Sequence, residues 1–371
     1  MSIRIINGGM LTTVQDNGRI GYQQFGVPVS GAMDPQAAAI ANILVGNEDN
    51  EAVLEVTMLG PRIEFQEANC IAVTGGDLTP QLDGKSFPMN RAVAVQKGQV
   101  LSFAAPRSGC RAYIAFAGGL EIPQVMGSRS TYLKAKIGGL EGRKLDKEDI
   151  IAFRAPTAQL PNMEKRAVAD AETFTKTDVT LRVVLGPQDD AFTEAGIKTF
   201  LGETYAVTVQ SDRMGCRLDG PVIEHVKDGN IISDGISFGA IQVPSEGKPI
   251  IMVADRQTVG GYTKIVTERS SFRQIKKALT HSFPTRRSSD WSFQRISARP
   301  HRSRQVTKSG LYRLGLPKRR TSISTAKPTC VHCVKRSPTP MTRLPDPQNS
   351  RRALKNMPAS PGKRGSLSQN Q

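Results

Sequence analysis

Histidine is almost missing from the first 266 residues of this 371-residue chain, where His225 stands alone. A catalytic triad or a multi-histidine metal centre would have to rest on that single residue, so neither is expected and no metal is assigned. Cysteine is sparse as well. Cys70, Cys110 and Cys216 show no paired spacing, which fits reduced thiols in a cytoplasmic protein. Cys330 and Cys333 have the spacing of half a zinc site, but no second pair accompanies them. Long apolar runs are lacking throughout, and the first residues have no apolar core followed by a small-residue cleavage site. A soluble protein that is neither exported nor membrane-bound is the expectation.

Acids are the third scarcity, and it is local. Residues 267–371 hold 24 Lys and Arg against Glu268, Asp290 and Asp346, a balance of +21, whereas residues 1–266 hold 26 bases against 30 acids, a balance of −4. The overall charge of +17 therefore belongs to the tail, and it does not argue for a nucleic-acid partner of the body. The tail is rich in Arg, Ser, Pro and Thr and lacks hydrophobic periodicity, so it is expected to be disordered. Its segment 280–290, THSFPTRRSSD, resembles the conceptual translation of a common sequencing adapter, which implies an out-of-frame stretch.

What is present in the body is alternation. Short apolar runs at 91–95, 100–103, 111–117, 181–185 and 205–209 are separated by Gly, Pro and Asp turns, so the fold reads as mainly β, in barrels or sandwiches. One helix is well signalled from Pro35 to Val45, with Asp34 as its cap, Pro35 at its first position and Gly46 to end it. Its Ala37, Ile40, Ala41 and Leu44 share a face that should pack on a sheet. Strand periodicity lapses between Ala155 and Asp178. A β-rich domain at 1–160, a second at 176–266 and the tail from 267 are the expected divisions.

Three polar, glycine-rich clusters carry the candidate chemistry. The first gathers Gln15, Asp16, Arg19, Ser30 and Asp34; it reads as a ligand pocket or, equally, as turn chemistry and helix capping. In the second, around Gly127-Ser128-Arg129-Ser130-Thr131 and Gly138-Gly139, small residues would let hydroxyls, backbone N–H groups and a guanidinium meet a carboxylate or phosphate, or would form surface turns with a solvated arginine. The third contains Asp212-Arg213, Gln242 and 254–262 (ADRQTVGGY), where Asp-Arg neighbours could be site groups or structural ion pairs. No glycine loop closed by Lys-Ser or Lys-Thr precedes a helix, so no P-loop is present.

Taken in order, TVQDNGRIGYQQFGVPVSGAMD, GSRST, GPQDDAF, SDRMGCRL, GAIQVP and ADRQTVGGYTKI resemble the biotin-dependent carboxyltransferase family that includes the C-type subunit of 5-oxoprolinase, KipA and allophanate hydrolase subunit 2. The resemblance covers residues 1–266. It implies two β-rich domains, the second a cyclophilin-like barrel left incomplete where the tail begins. It also implies a complex with the KipI-like B-type and the A-type subunits of 5-oxoprolinase, cleaving the small molecule 5-oxo-L-proline to L-glutamate with ATP shared with the KipI-like partner. Carried over by motif, Asp255, Gln257, Thr258 and Gln242 are the catalytic candidates. Tyr262, Gly260, Gly261, Ser128, Arg129, Asp212 and Arg213 are the substrate-binding candidates. Two alternatives stay open: a carboxyltransferase half acting on a nitrogen compound such as urea, and a non-enzymatic antagonist of a KipI-like kinase inhibitor. Biotin belongs to the first of these alone, and it would arrive on another protein because no Met-Lys-Met motif is present.

Overall fold

Alternating apolar residues become strands along most of the described chain, which in this computed structural model comprises residues 1–168, 178–267 and 295–300. All of these lie in one compact unit, Met1–Gln305; the other unit, Val306–Gln371, falls outside the described residues, as does most of the expected tail. The fold is mainly β. In its first half the strands are β1 (Ser2–Asn7), β2 (Leu11–Gln15), β3 (Val53–Thr57), β4 (Arg62–Phe65), β5 (Asn69–Asp77), β6 (Pro80–Leu82), β7 (Lys85–Ser86), β8 (Ala92–Val95), β9 (Val100–Phe103), β10 (Ser108–Phe116) and β11 (Ile150–Ala152). The second half adds β12 (Asp178–Leu185), β13 (Thr204–Val207), β14 (Gly215–Asp219), β15 (Asn230–Gly235), β16 (Ile241–Val243), β17 (Ile250–Met252), β18 (Val259–Thr267) and β19 (Arg295–Pro300). The helices are α1 (Pro35–Leu44) and α2 (Glu194–Gly202).

Two sheets form the first half, one in the order β11-β1-β4-β9-β6-β7 and the other in the order β2-β3-β10-β5-β8. They share one core, because Ile3, Ile5, Ile63 and Phe65 of the first sheet cluster with Leu54, Val56, Ile71, Val73, Ile114 and Phe116 of the second. Phe116 sits with its ring centroid 6.5 Å from Phe65 and 5.8 Å from Phe153. The opposite face of the second sheet is covered by α1, whose Ala37, Ala41 and Leu44 pack with Val53, Cys70, Ala72, Tyr113 and Ala115. Burial on both faces explains why β10 reads as a nearly continuous apolar run. The expected cap is present, since the Ala37 N–H donates to Asp34 Oδ1 at 3.1 Å, and Gly46 follows with φ 79. The shorter α2 packs Ile197, Phe200 and Leu201 on the second core and begins at Thr193, whose hydroxyl accepts from the Gly196 N–H at 2.9 Å.

The second half is an eight-stranded sheet in the order β12-β19-β13-β14-β17-β16-β18-β15. A further pairing of β12 with β18, through Val184↔Thr267 and Leu185↔Val266, joins the two flanks, so seven strands form a ring and β15 lies outside it on β18. Strands up to residue 267 alone would leave that ring open between β12 and β13. Six residues of the stretch expected to lack a fold fill the gap: β19 runs parallel to β12 and antiparallel to β13. Met33, from the first half, is buried in the core of the second beside Leu181, Phe192, Ile241 and Val253.

A chain ending at Thr267 is therefore expected to melt several degrees lower and less cooperatively than the full chain, because β12 and β13 lose their shared neighbour. Thermal unfolding followed by circular dichroism checks this, and superimposable curves would show that β19 adds nothing to stability.

Candidate functional site

The segment between β2 and α1 doubles back on itself. The Arg19 N–H donates to Val29 O at 2.8 Å and the Ala32 N–H to Asp16 O at 2.9 Å. Glycine is required where the two arms meet: a Cβ on Gly18, at φ +87, would lie 2.6 Å from Val29 O, and one on Gly31, at φ +90, would lie 3.0 Å from the Gly18 nitrogen. Asp16 then ties this segment to the second glycine-rich cluster. Its Oδ1 accepts from Gly18 N at 2.8 Å, Ser128 Oγ at 2.6 Å and Ser130 Oγ at 2.5 Å, and its Oδ2 accepts from Arg129 N at 2.6 Å. The Arg129 side chain turns elsewhere, donating from Nε to Ile122 O at 3.0 Å and lying 3.8 Å from Glu51. Two expected clusters are thus one, with Ser128 and Arg129 spending hydrogen bonds on the scaffold.

Beside that loop lies a buried ionic network joining the two halves of the chain. Arg213 makes a fork with Asp255, Nε to Oδ2 at 2.9 Å and Nη2 to Oδ1 at 3.0 Å, and also donates from Nη2 to Gly31 O at 2.7 Å. Its remaining nitrogen, Nη1, pairs with Glu55 Oε1. Glu55 Oε2 accepts from Met33 N at 2.8 Å and from the Tyr113 hydroxyl at 3.0 Å, and that hydroxyl accepts from Asp34 N at 2.7 Å. Glu55 is 1% exposed and Arg213 and Asp255 are 5% exposed, so the charges are satisfied by one another rather than by water. Burial pulls the Arg213 guanidinium towards neutrality, but Asp255 and Glu55 outweigh it and the net shift is upward. Burial, then the charges of Glu55 and Asp34, push the Tyr113 phenol well above its ordinary range. Tyr132 is likewise raised, first by burial and then by the charge of Asp255.

The other candidates fall elsewhere. Asp212, adjacent to Arg213, is exposed and closes a turn by accepting from Met214 N at 2.7 Å and Gly215 N at 3.1 Å. Gln242 on β16 is buried and donates from Nε2 to Tyr262 O at 3.3 Å; Gly260 packs so closely that a Cβ there would lie 2.8 Å from that nitrogen. Tyr262 is 42% exposed, Gln257 is exposed, and Gly261 and Thr258 are half-buried. Gln242, Gly260, Gly261 and Tyr262 therefore form one patch on β16 and β18, while Asp255 and Arg213 belong to the network at the junction. Sequence reasoning missed Glu55 and Tyr113 of that network, and also the buried Arg111, whose Nε lies 3.7 Å from Glu55 Oε1. A lone acid inside the apolar run Ala52-Val-Leu-Glu55-Val-Thr57 was the available signal, as was Lys264 on β18, which is 2% exposed and donates to Asp234 Oδ2 at 2.5 Å and Gly235 O at 3.0 Å.

The family model for the carboxyltransferase domain, subdomain A and B, matches residues 25–273. The C-type subunit of 5-oxoprolinase from Escherichia coli (strain K12) is 38% identical over 263 residues, covering 71% of this chain and 83% of its own length. Urea amidolyase of Saccharomyces cerevisiae is 33% identical over 278 residues, which are 70% of this chain and 15% of that protein. Among solved structures, the K. lactis urea amidolyase superposes with a TM-score of 0.72 at 29% identity, over 81% of this chain and 18% of that one. The chain thus spans less than a fifth of either urea amidolyase but most of the length of the 5-oxoprolinase relative.

Replacing Arg213 by Met leaves Glu55 and Asp255 buried without their shared cation and is expected to cost roughly 3–5 kcal/mol of stability. Asp212→Ala, one residue away but exposed, should cost no more than about 1 kcal/mol, the scale of a lost turn hydrogen bond. Urea denaturation of the two variants beside the parent chain measures both, and equal midpoints would remove the network from any central role.

Proposed function

Since the chain belongs to the carboxyltransferase family of subdomains A and B, we propose that it is the C-type member of a cytoplasmic, ATP-dependent 5-oxoprolinase complex that converts 5-oxo-L-proline to L-glutamate. The observation that carries this reading is the match to the Escherichia coli 5-oxoprolinase protein at 38% identity over 83% of that protein's length. In this reading the KipI-like B-type and the A-type subunits complete the assembly. In the same reading the two β-rich portions divide between residues 160 and 176, and the substrate site lies along β16 and β18.

The chemical problem is a lactam carbonyl that water attacks poorly. Phosphorylation at the expense of ATP makes it a better electrophile, and groups fixed in advance then stabilise the charge that develops on oxygen. Gly84-Lys85-Ser86 lies in the β6–β7 hairpin and not in a glycine loop before a helix, so the nucleotide is assigned to a site shared with the KipI-like partner. In this reading the candidate residues divide between two roles, which their exposure and hydrogen bonds support. Gln257, Thr258 and Tyr262 reach the surface and are suited to touch substrate, with Gln242 fixed behind Gly260 and Gly261. Asp255 is held in a fork by Arg213, and in this reading its role is to position the turn that carries Gln257 and Thr258. Ser128 and Arg129 act likewise through Asp16, and Asp212 through its turn.

A second reading is favoured by the superposition on urea amidolyase: transfer of a carboxyl group to a nitrogen acceptor, with biotin carried by another protein. One experiment separates them. The full chain is co-expressed with its KipI-like neighbour and the A-type 5-oxoprolinase protein, and the purified complex is assayed for glutamate released from 5-oxoproline. ATP-dependent glutamate is expected, with kcat/KM about ten-fold lower for Tyr262→Phe, the scale of one lost substrate hydrogen bond, at unchanged melting temperature. An assembled complex that releases no glutamate but carboxylates urea from carboxybiotin would replace the first reading by the second.

A further inference from the structure

Arg19 is among the largest fully buried side chains of the protein, at 0% exposure, yet its charge is hardly engaged. A guanidinium carries five N–H donors in a planar fork. Here Nη2 donates to Ser130 O, while Nε and Nη1 have no partner among the described residues. The two carboxylates that act on it electrostatically are Asp16 and Asp255. Both are already committed: Asp16 accepts from Gly18, Ser128, Arg129 and Ser130, and Asp255 accepts both arms of Arg213. Burial accordingly pushes the Arg19 guanidinium towards its neutral form, with those two carboxylates opposing the shift.

A buried cation with idle donors is costly, and a ligand that accepted from them would offset that cost. Other features of the same loop point the same way. Ser30, buried and at φ 57, has a hydroxyl without a hydrogen-bond partner, and its backbone lies against Gly18, next to Arg19. Gly138, at φ +67, lets its backbone pack close against Ser130 and the guanidinium, since a Cβ there would stand 2.2 Å from Ser130 O and 2.6 Å from Arg19 Nη2. Asn17 and Ile20 on either side of the buried stretch are exposed, so the guanidinium lies beneath a surface loop.

The geometry points to a small-oxyanion site at Arg19, with the Ser30 hydroxyl as a second donor, that takes a carboxylate, bicarbonate or phosphate group. The planar fork suits two oxygens of one ligand. Such binding is expected whether or not the assembled complex turns over 5-oxoproline, so this assignment and the proposed activity fail separately.

Thermal melting of the full chain tests it, with chloride replaced at constant ionic strength by phosphate, bicarbonate or 5-oxo-L-proline, or with neutral 2-pyrrolidinone added to the chloride buffer. At least one oxyanion should raise the melting temperature in a saturating manner, as mass action requires of a ligand that binds the folded state. A rise with phosphate or bicarbonate identifies an inorganic ligand. A rise with 5-oxo-L-proline but not with 2-pyrrolidinone, which lacks the carboxylate, identifies the substrate's own acid group. Arg19→Gln should lose the shift while melting no lower than the parent without anion, since it discards an uncompensated buried charge. Arg19→Lys, which keeps the charge but not the fork, should bind at least about ten-fold more weakly, and Ser30→Ala roughly three- to ten-fold more weakly. The assignment is overturned if no oxyanion shifts the parent chain, or if the shift survives in Arg19→Gln or, should that variant not fold, is undiminished in Arg19→Lys and Ser30→Ala.

Discussion

The pairing of Arg213 with Glu55 and Asp255 is the constraint on which the arrangement of the two halves depends. Each member comes from a different part of the chain: Glu55 from the middle of β3, Arg213 from the turn before β14, and Asp255 from the turn after β17. Buried ions are expensive to desolvate, and an imperfect alignment would leave that cost uncompensated. The three therefore specify a relative position for their elements more sharply than apolar contact could. Met33 adds to this from the same loop, with its side chain in the second core and its amide on Glu55.

The polar loop chemistry is subordinate to that anchor. Gly31 gives its carbonyl to Arg213, so the doubled-back segment from Asp16 to Asp34 is gripped at one arm by the network and at the other by the hydroxyls of Ser128 and Ser130. Residues that look like ligands in the sequence are here the means of holding a surface in shape. Among the described residues, groups with spare capacity include Arg19 and Ser30 in and under the loop and, farther along the chain, the exposed Gln257 and Tyr262.

Much of this was legible in the letters because its cause is local. Alternation located β8, β9, β10, β12 and β13, and Asp34-Pro35 with Gly46 located α1 to within a residue, since the cap, the fixed proline φ and the left-handed glycine act within a few bonds. The motifs also led to Arg213 and Asp255. What stayed hidden has non-local causes. Glu55 looks like an interruption in an apolar strand until Tyr113 is paired opposite it across β3 and β10. The short α2 depends on a threonine cap and on packing against its neighbours, and β19 carries no alternation to announce it; backbone pairing with β12 and β13 defines it.

That last strand has a wider implication. Main-chain hydrogen bonds are indifferent to side-chain identity, and the entropy of closing a long connection rises only slowly with its length. The place between β12 and β13 is therefore defined by two facing rows of amides and carbonyls, and what it asks of its occupant is some six extended residues with no proline where a donor is needed.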